Sequence, residues 1–137
     1  MTEKQIIEEC KRLAASAREK GNSSVGCVIV RNGEIITAAE ETNNTDHDVT
    51  AHAEINALRI TARKLGTRDL SGFTLYTTHE PCVMCSYAIR FYRISALVYL
   101  NTSQYLGGVS SAFSVLTTDE VPPHWAAPPV VVHYQER

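Results

Sequence analysis

Two segments decide the architecture expected of this chain: Thr50-Ala51-His52-Ala53-Glu54 and, about thirty residues later, Glu80-Pro81-Cys82-Val83-Met84-Cys85. Apolar residues recur at helical spacing from Ile55 to Leu65, so a helix is predicted to begin just after the histidine. Proline costs no hydrogen bond at the first position of a helix, so Pro81 predicts a second helix start. Each segment therefore stands at the beginning of a helix.

The side chains of the two segments predict a metal site. His52, Cys82 and Cys85 offer one imidazole and two thiols, a ligand set that suits zinc and leaves a fourth tetrahedral position for water. Cys82 and Cys85 are three residues apart, so they share one face of the first helical turn, where the helix dipole favours thiolates. Zinc lowers the pKa of a bound water from about 15.7 toward 7, which supplies hydroxide at neutral pH. An open position indicates a catalytic rather than a structural metal.

Glu54 is the predicted proton carrier of this site. Positions two apart on a regular helix point to different faces, so His52 and Glu54 face one metal only if His52 lies at or before the first turn. A thioredoxin-like dithiol is the alternative for the cysteine pair, but it does not explain the histidine and the glutamate. A structural zinc needs a fourth ligand, and Cys10 and Cys27 stand alone in apolar stretches, where each is expected to pack as a small buried residue.

His-x-Glu followed by Pro-Cys-x-x-Cys is the signature of the zinc deaminases that act on nucleobases. Over roughly residues 20 to 100, the chain resembles the cytidine and nucleobase deaminase superfamily, especially its branch of guanine, cytosine and tRNA adenosine deaminases. The resemblance implies zinc held by His52, Cys82 and Cys85, with Glu54 moving protons while ammonia is released. An inactive relative that serves as a zinc-stabilised binding protein stays an alternative.

Two further residues are predicted to bind the substrate. Residues 40–50 are polar and without period, so they form a loop that leads to the histidine helix. In the resembled branch, an asparagine of this loop hydrogen-bonds the base, and Asn43 is the match; an ordinary turn residue is the other interpretation. Trp125, in the proline-rich segment 121–129, either covers the cavity and stacks on a flat ring or packs against the core or a partner subunit.

The order of predicted elements indicates an α/β fold. An amphipathic helix over residues 2–20 is followed by a strand at 25–30, an Asn32-Gly33 hairpin turn and a second strand. Strands 73–78 and 94–100 are joined through the cysteine helix, which favours a parallel pairing. We therefore expect one domain over 1–137, a three-layer α/β/α sandwich with a mixed sheet of about five strands. Residues 105–108 are predicted to be a flexible turn, and residues 130–134 an edge strand.

Charge guides the prediction of partners. The formal net charge is −2, and no Lys or Arg lies between Arg93 and Arg137, so little basic surface is offered to a polynucleotide. A free aminated base such as guanine, cytosine or isocytosine is therefore the expected substrate, and nucleic acid is not an expected partner. The alternative is tRNA adenosine deamination, which the spelling Glu-Pro-Cys-Val-Met-Cys resembles.

Assembly and location are also expectations. The N-terminal residues lack the apolar stretch of a signal peptide, and no apolar run is long enough to cross a bilayer. The cytoplasm, where thiols stay reduced, is the expected location. A homodimer is implied by the resemblance alone.

Overall fold

Four helices and five strands lie within residues 1–136. The computed structural model describes residues 1–136, so Arg137, the last residue of the domain predicted for 1–137, lies outside the described residues. The elements, in chain order, are α1 (Glu3–Glu19), β1 (Gly26–Arg31), β2 (Glu34–Glu40), α2 (Asn43–Asp46), α3 (Ala53–Leu65), β3 (Thr74–His79), α4 (Val83–Phe91), β4 (Ala96–Asn101) and β5 (Val130–His133). Within residues 1–136, no helix is long and apolar enough to cross a membrane.

The five strands form one mixed sheet in the order β2-β1-β3-β4-β5. Strand β1 pairs antiparallel with β2 and β3, whereas β3, β4 and β5 are parallel. Asn32 and Gly33 join β1 to β2 with positive φ angles of 53° and 76°, the conformation that a tight hairpin turn requires. Every strand except β1 runs in the same direction, so β2, β3 and β4 all end at one edge of the sheet.

Helices cover both faces of the sheet. Helix α1 buries Ile6, Ile7 and Leu13 against Val28 and Val98 on one face. On the other face Leu58 of α3 and Ile89 of α4 pack with Ile29, Leu75 and Leu97. The predicted α/β/α sandwich with a five-stranded mixed sheet is therefore confirmed.

Helix α1 is closely fitted to the sheet. Its N-terminus is closed by a capping box, in which Thr2 and Gln5 bond each other's backbone N–H groups. At Gly26, a Cβ atom would overlap the carbonyl oxygen of Cys10 and the backbone of Ala14. The absence of a side chain at Gly26 thus lets the helix approach the first strand.

Two stretches differ from the sequence-based expectations. The loop over residues 40–50 contains a four-residue helix, α2, too short to show a periodic pattern. Residues 105–108 are not a free turn: Gly107 forms an isolated β-bridge with Cys82, and the N–H of Gly108 donates to the carbonyl of Pro81 at 2.8 Å. This part of the β4–β5 connection therefore lies alongside the start of α4.

Candidate active site

The starts of α3 and α4 meet at the edge where β2, β3 and β4 end. His52 is the N-cap of α3 and Cys82 the N-cap of α4; both have extended backbones and neither side chain caps its helix. The sequence predicts Pro81 as the first helical residue, but α4 begins at Val83 and Pro81 precedes the cap. The shift does not separate the cysteines, because an N-cap residue and Cys85, the third residue of α4, still point to the same side.

The three predicted metal ligands lie together. Their ligand atoms all lie within 4.8 Å of one another. Nδ1 of His52 is 3.6 Å from Sγ of Cys82 and 3.4 Å from Sγ of Cys85. A nitrogen and a sulfur bound tetrahedrally to one zinc stand about 3.6 Å apart, given bonds of about 2.1 and 2.3 Å. The geometry and the chemistry of these residues therefore fit zinc.

One thiol is already prepared to bind a cation. A hydrogen bond from Cys85 and a weaker effect of His52 lower the pKa of Cys82 to about 4, although burial opposes the shift. The same hydrogen bond, together with burial, raises the pKa of Cys85, so the pair holds one thiolate and one thiol, and Cys82 is the member in the form that ligates a metal.

Glu54 is the second residue of α3 and is 4% exposed. Burial raises the pKa of this carboxyl group to about 7. Among residues 1–136, its oxygen Oε1 has no hydrogen-bond partner. A buried carboxyl group with one unused oxygen and a pKa near neutrality is suited to accept a proton and to return it.

A cavity of about 360 Å³ opens over these groups, and we call it the catalytic cavity. Its walls include His52, Glu54 and Cys82, together with Asn43, His79 and Ser103. This volume lies within the range of small-molecule sites. The cavity is therefore large enough for a single base above the predicted metal site.

Asn43 and its neighbour Asn44 behave differently in this cavity. The side chain of Asn44 donates to the carbonyl of Gly21 at 2.7 Å, and its backbone N–H bonds Asn22 at 2.9 Å. The side chain of Asn43 makes no hydrogen bond to any of residues 1–136. Asn44 thus fixes the loop, whereas the amide of Asn43 is available to a ligand.

Trp125 does not line the catalytic cavity. Its ring packs edge-on against Tyr87, at 4.8 Å between centroids, and against Phe91, at 5.5 Å. It borders a separate cavity with Arg68 and Arg93, which precede β3 and β4 and so lie at the opposite end of these strands. Substrate binding by Trp125 stays a prediction. Within one protomer, the Trp125 ring packs against other aromatic side chains.

Glu80 is an organising residue that the sequence analysis missed. It is 2% exposed, and its carboxylate accepts hydrogen bonds from the backbone of Ser103, Val109 and Ser110 at 3.2, 2.9 and 2.8 Å. The hydroxyl of Ser110 adds a fourth at 2.7 Å. Burial alone would raise the pKa of Glu80, but these hydrogen bonds from Ser110, Val109 and Ser103 hold it below its ordinary value. Glu80 thereby fixes the segment 103–110, of which Ser103 lines the catalytic cavity.

The two remaining cysteines lie in the core. Cys10 lies on the buried face of α1 and Cys27 lies on β1, and both are fully buried. Burial raises the pKa of Cys10 to about 12, and it also raises that of Cys27. Both thiols are therefore protonated, and neither joins the three-residue cluster among the described residues.

Comparison with known proteins places these features in context. Residues 1–101 match the family model of the cytidine and deoxycytidylate deaminase zinc-binding region. The tRNA-specific adenosine deaminase of Aquifex aeolicus is 40% identical over 116 residues, which are 85% of this chain and 77% of that protein.

Solved structures show the same likeness. A structure from a study of A-to-I editing by tRNA:A34 deaminases superposes with a TM-score of 0.86 at 34% identity, covering 96% of this chain and 98% of the other. Guanine deaminase from Bacillus subtilis superposes with a TM-score of 0.71 at 35% identity, covering 74% of this chain and 66% of the other. Each likeness includes the part of the chain that carries the metal cluster.

Proposed function

The chain belongs to the cytidine and deoxycytidylate deaminase family of zinc-dependent C–N hydrolases, and on this premise we propose that it converts adenosine to inosine in tRNA. The observation that carries the substrate class is the likeness to a tRNA:A34 deaminase over nearly the whole of both chains. The guanine deaminase resembles the chain over a smaller share and with a lower TM-score. By analogy with the tRNA:A34 deaminase, adenosine at the wobble position is the proposed target.

Two predictions from the sequence are wrong. A free nucleobase was expected as substrate and nucleic acid was not expected as partner, but relatives that match at 35–40% identity are tRNA-specific adenosine deaminases. The two predictions rested on the net charge and on the absence of Lys and Arg between Arg93 and Arg137. Of 13 Lys and Arg residues only Arg137 follows Arg93, so the other 12 lie within residues 1–93.

The proposed chemistry replaces the amino group at C6 of adenine by oxygen. When bound by His52, Cys82 and Cys85, zinc supplies a water molecule of lowered pKa as the nucleophile. Glu54 would take a proton from this water and deliver it to the ring nitrogen N1, and would then move the remaining proton of the added hydroxyl group to the departing amine. One water is consumed and one ammonia is released for each inosine formed. The buried position of Glu54 and its pKa of about 7 support both the acceptance and the return of the proton.

Asn43 is the proposed contact to the base. Its amide offers a donor and an acceptor, and no residue among 1–136 occupies them. The position of Asn43 in the wall of the catalytic cavity supports a hydrogen bond to a purine held above the metal site.

Assembly and location extend the proposal. Tyr87 and Phe91 on the outer face of α4 are 53% and 39% exposed, and with Trp125 they form an aromatic patch that supports a homodimer. A tRNA substrate and thiolate ligands that must remain reduced support a cytoplasmic location.

The substrate assignment is tested by direct competition between substrate classes. The zinc-loaded protein is incubated with a tRNA that carries adenosine at position 34, with free adenosine, and with guanine and cytosine. Inosine is measured after nuclease digestion of the tRNA, and ammonia release reports on the small molecules. We expect inosine in the tRNA and no comparable turnover of the free compounds; the Glu54→Gln variant is the control. Turnover of a free base without turnover of tRNA would overturn the proposal.

A further inference from the structure

A second depression borders the catalytic cavity on the α1 side of the sheet. It has a volume of about 410 Å³ and lies between the second half of α1 and the ends of β3 and β4. We call it the α1 groove. His79 lines both the α1 groove and the catalytic cavity, so the two are separated by the thickness of one side chain. A strand that leaves the catalytic cavity on the side of His79 would therefore reach this groove.

The charges of the α1 groove leave one cation available. Lys11 lines it but is paired with Glu136 and Glu8. Arg18 also lines it, is exposed, and forms no ion pair with any of residues 1–136. Glu19 stands beside it, so the groove has no net charge and does not attract polyanions in general. One guanidinium without a partner is suited to a single phosphate group.

The floor of the α1 groove is apolar. Ala14, Ala15 and Leu100 form it, and Asn101 adds a polar edge close to the end of β4. Ala15 is exposed and carries only a methyl group, so its own side chain leaves room for a flat ring. An apolar floor with a cation at its rim matches the two parts of a nucleotide, a base and a phosphate.

We propose that the α1 groove binds a nucleotide adjoining the target adenosine in the RNA strand, with Arg18 contacting its phosphate. The inference rests on the proposed function, because only a polynucleotide substrate continues beyond the catalytic cavity. It identifies α1, which contributes no residue to the metal cluster, as a part of the substrate site.

The test compares single-charge variants on one helix. Arg18→Gln removes the proposed phosphate contact, and Lys4→Gln removes one positive charge at the other end of α1, outside the groove. With an RNA hairpin carrying the target adenosine, Arg18→Gln should raise KM and the Kd from filter binding by about five- to tenfold, with kcat unchanged. The slope of log Kd against log salt should fall by about one for Arg18→Gln and remain unchanged for Lys4→Gln. Glu19→Gln should shift KM in the opposite direction, because it removes the carboxylate next to the phosphate.

A steric variant tests the floor independently of charge. Ala15→Trp places a large ring in the α1 groove at an exposed position, so zinc content and Tm should be retained while KM for the hairpin rises. The proposal is overturned if Arg18→Gln and Lys4→Gln have the same KM and the same salt slope, and Ala15→Trp has no effect on KM. If the unmodified protein neither binds the hairpin nor makes inosine from it, the proposed function itself has failed, which is a separate outcome.

Discussion

Gly107 lies directly against the carboxylate of Glu80, so closely that a Cβ atom at position 107 would overlap the carboxylate oxygens. Gly107 does not have a positive φ, so the missing side chain provides room rather than an unusual backbone. Overlap in a closely packed site costs about 1–3 kcal/mol. We expect Gly107→Ala to lower the free energy of unfolding by about this amount, as measured by urea denaturation.

The matched control for this substitution is Gly66→Ala. Gly66 ends α3 with φ 66° and has open space around it. Its replacement by alanine therefore costs only backbone strain, about 1 kcal/mol. If zinc occupancy and activity decline equally in both variants, contact with Glu80 is not the reason that position 107 is glycine.

Glu80 should make stability depend on pH. Its pKa is lowered by folding, so its stabilising effect is present above the unfolded value of 4.5 and is lost as pH falls through the lower folded value. Glu80→Gln places an amide NH₂ among backbone donors, which should cost about 1–3 kcal/mol at pH 7. The difference in unfolding free energy between parent and variant, both measured with chelator present, should shrink below pH 4.5. A difference that is constant between pH 7 and pH 3.5 contradicts this account.

Glu54→Gln should separate metal binding from proton transfer. The side chain is not among the three metal ligands, so zinc measured by atomic absorption should remain near one per chain. Inosine formation should fall by about 10²–10⁴-fold, the usual contribution of a positioned acid or base. Activity within tenfold of the parent would falsify the assignment of Glu54 as proton carrier.

Cys85→Ser should remove the metal, because a hydroxyl group is a poor replacement for a thiolate on zinc. We expect loss of zinc from the purified variant and a lower Tm that added zinc does not restore. Cys27→Ala is the control, since Cys27 is buried on β1 and outside the cluster. Zinc retained in Cys85→Ser, or lost in Cys27→Ala, would show that the ligand set is different.

Asn43→Ala and Asn44→Ala should affect different properties. Loss of the Asn43 amide should reduce kcat/KM by about 10–100-fold, as expected for about 1.5–3 kcal/mol of hydrogen bonding to substrate, with Tm unchanged. Loss of the Asn44 amide breaks its bond to Gly21 and should lower Tm. Equal effects of the two substitutions on kcat/KM would indicate that Asn43 only shapes the loop.

The sequence predicted those parts of the site that depend on short spacing. His52 with Glu54, and Cys82 with Cys85, are separated by two and three residues, so local helix geometry is enough to place each pair. The two segments could be predicted to lie together because their side chains jointly make up a zinc ligand set. The sheet was predictable because its strands are apolar runs and one hairpin turn is marked by Asn32-Gly33.

The remaining features depend on long-range contacts. Glu80 bonds Ser103 and Ser110, which are 23 and 30 residues away in a stretch without periodicity. Nothing in the local pattern distinguishes it from an exposed glutamate before a proline. The position of Trp125 against Tyr87 likewise depends on the path of residues 102–129, which form neither helix nor strand. The substrate class was predicted wrongly for a related reason, because charges counted along a sequence do not report where cations lie on the folded surface.

His52 and Cys82 occupy N-cap positions, and neither side chain caps its helix. Serine or aspartate there would each stabilise a helix by about 1 kcal/mol. Metal-ligating side chains at both positions therefore leave the two helices less stable than capping side chains would. A laboratory selection for heat resistance alone, in zinc-free medium, should accordingly enrich serine, threonine or aspartate at positions 52 and 82, and the survivors would be more robust but inert.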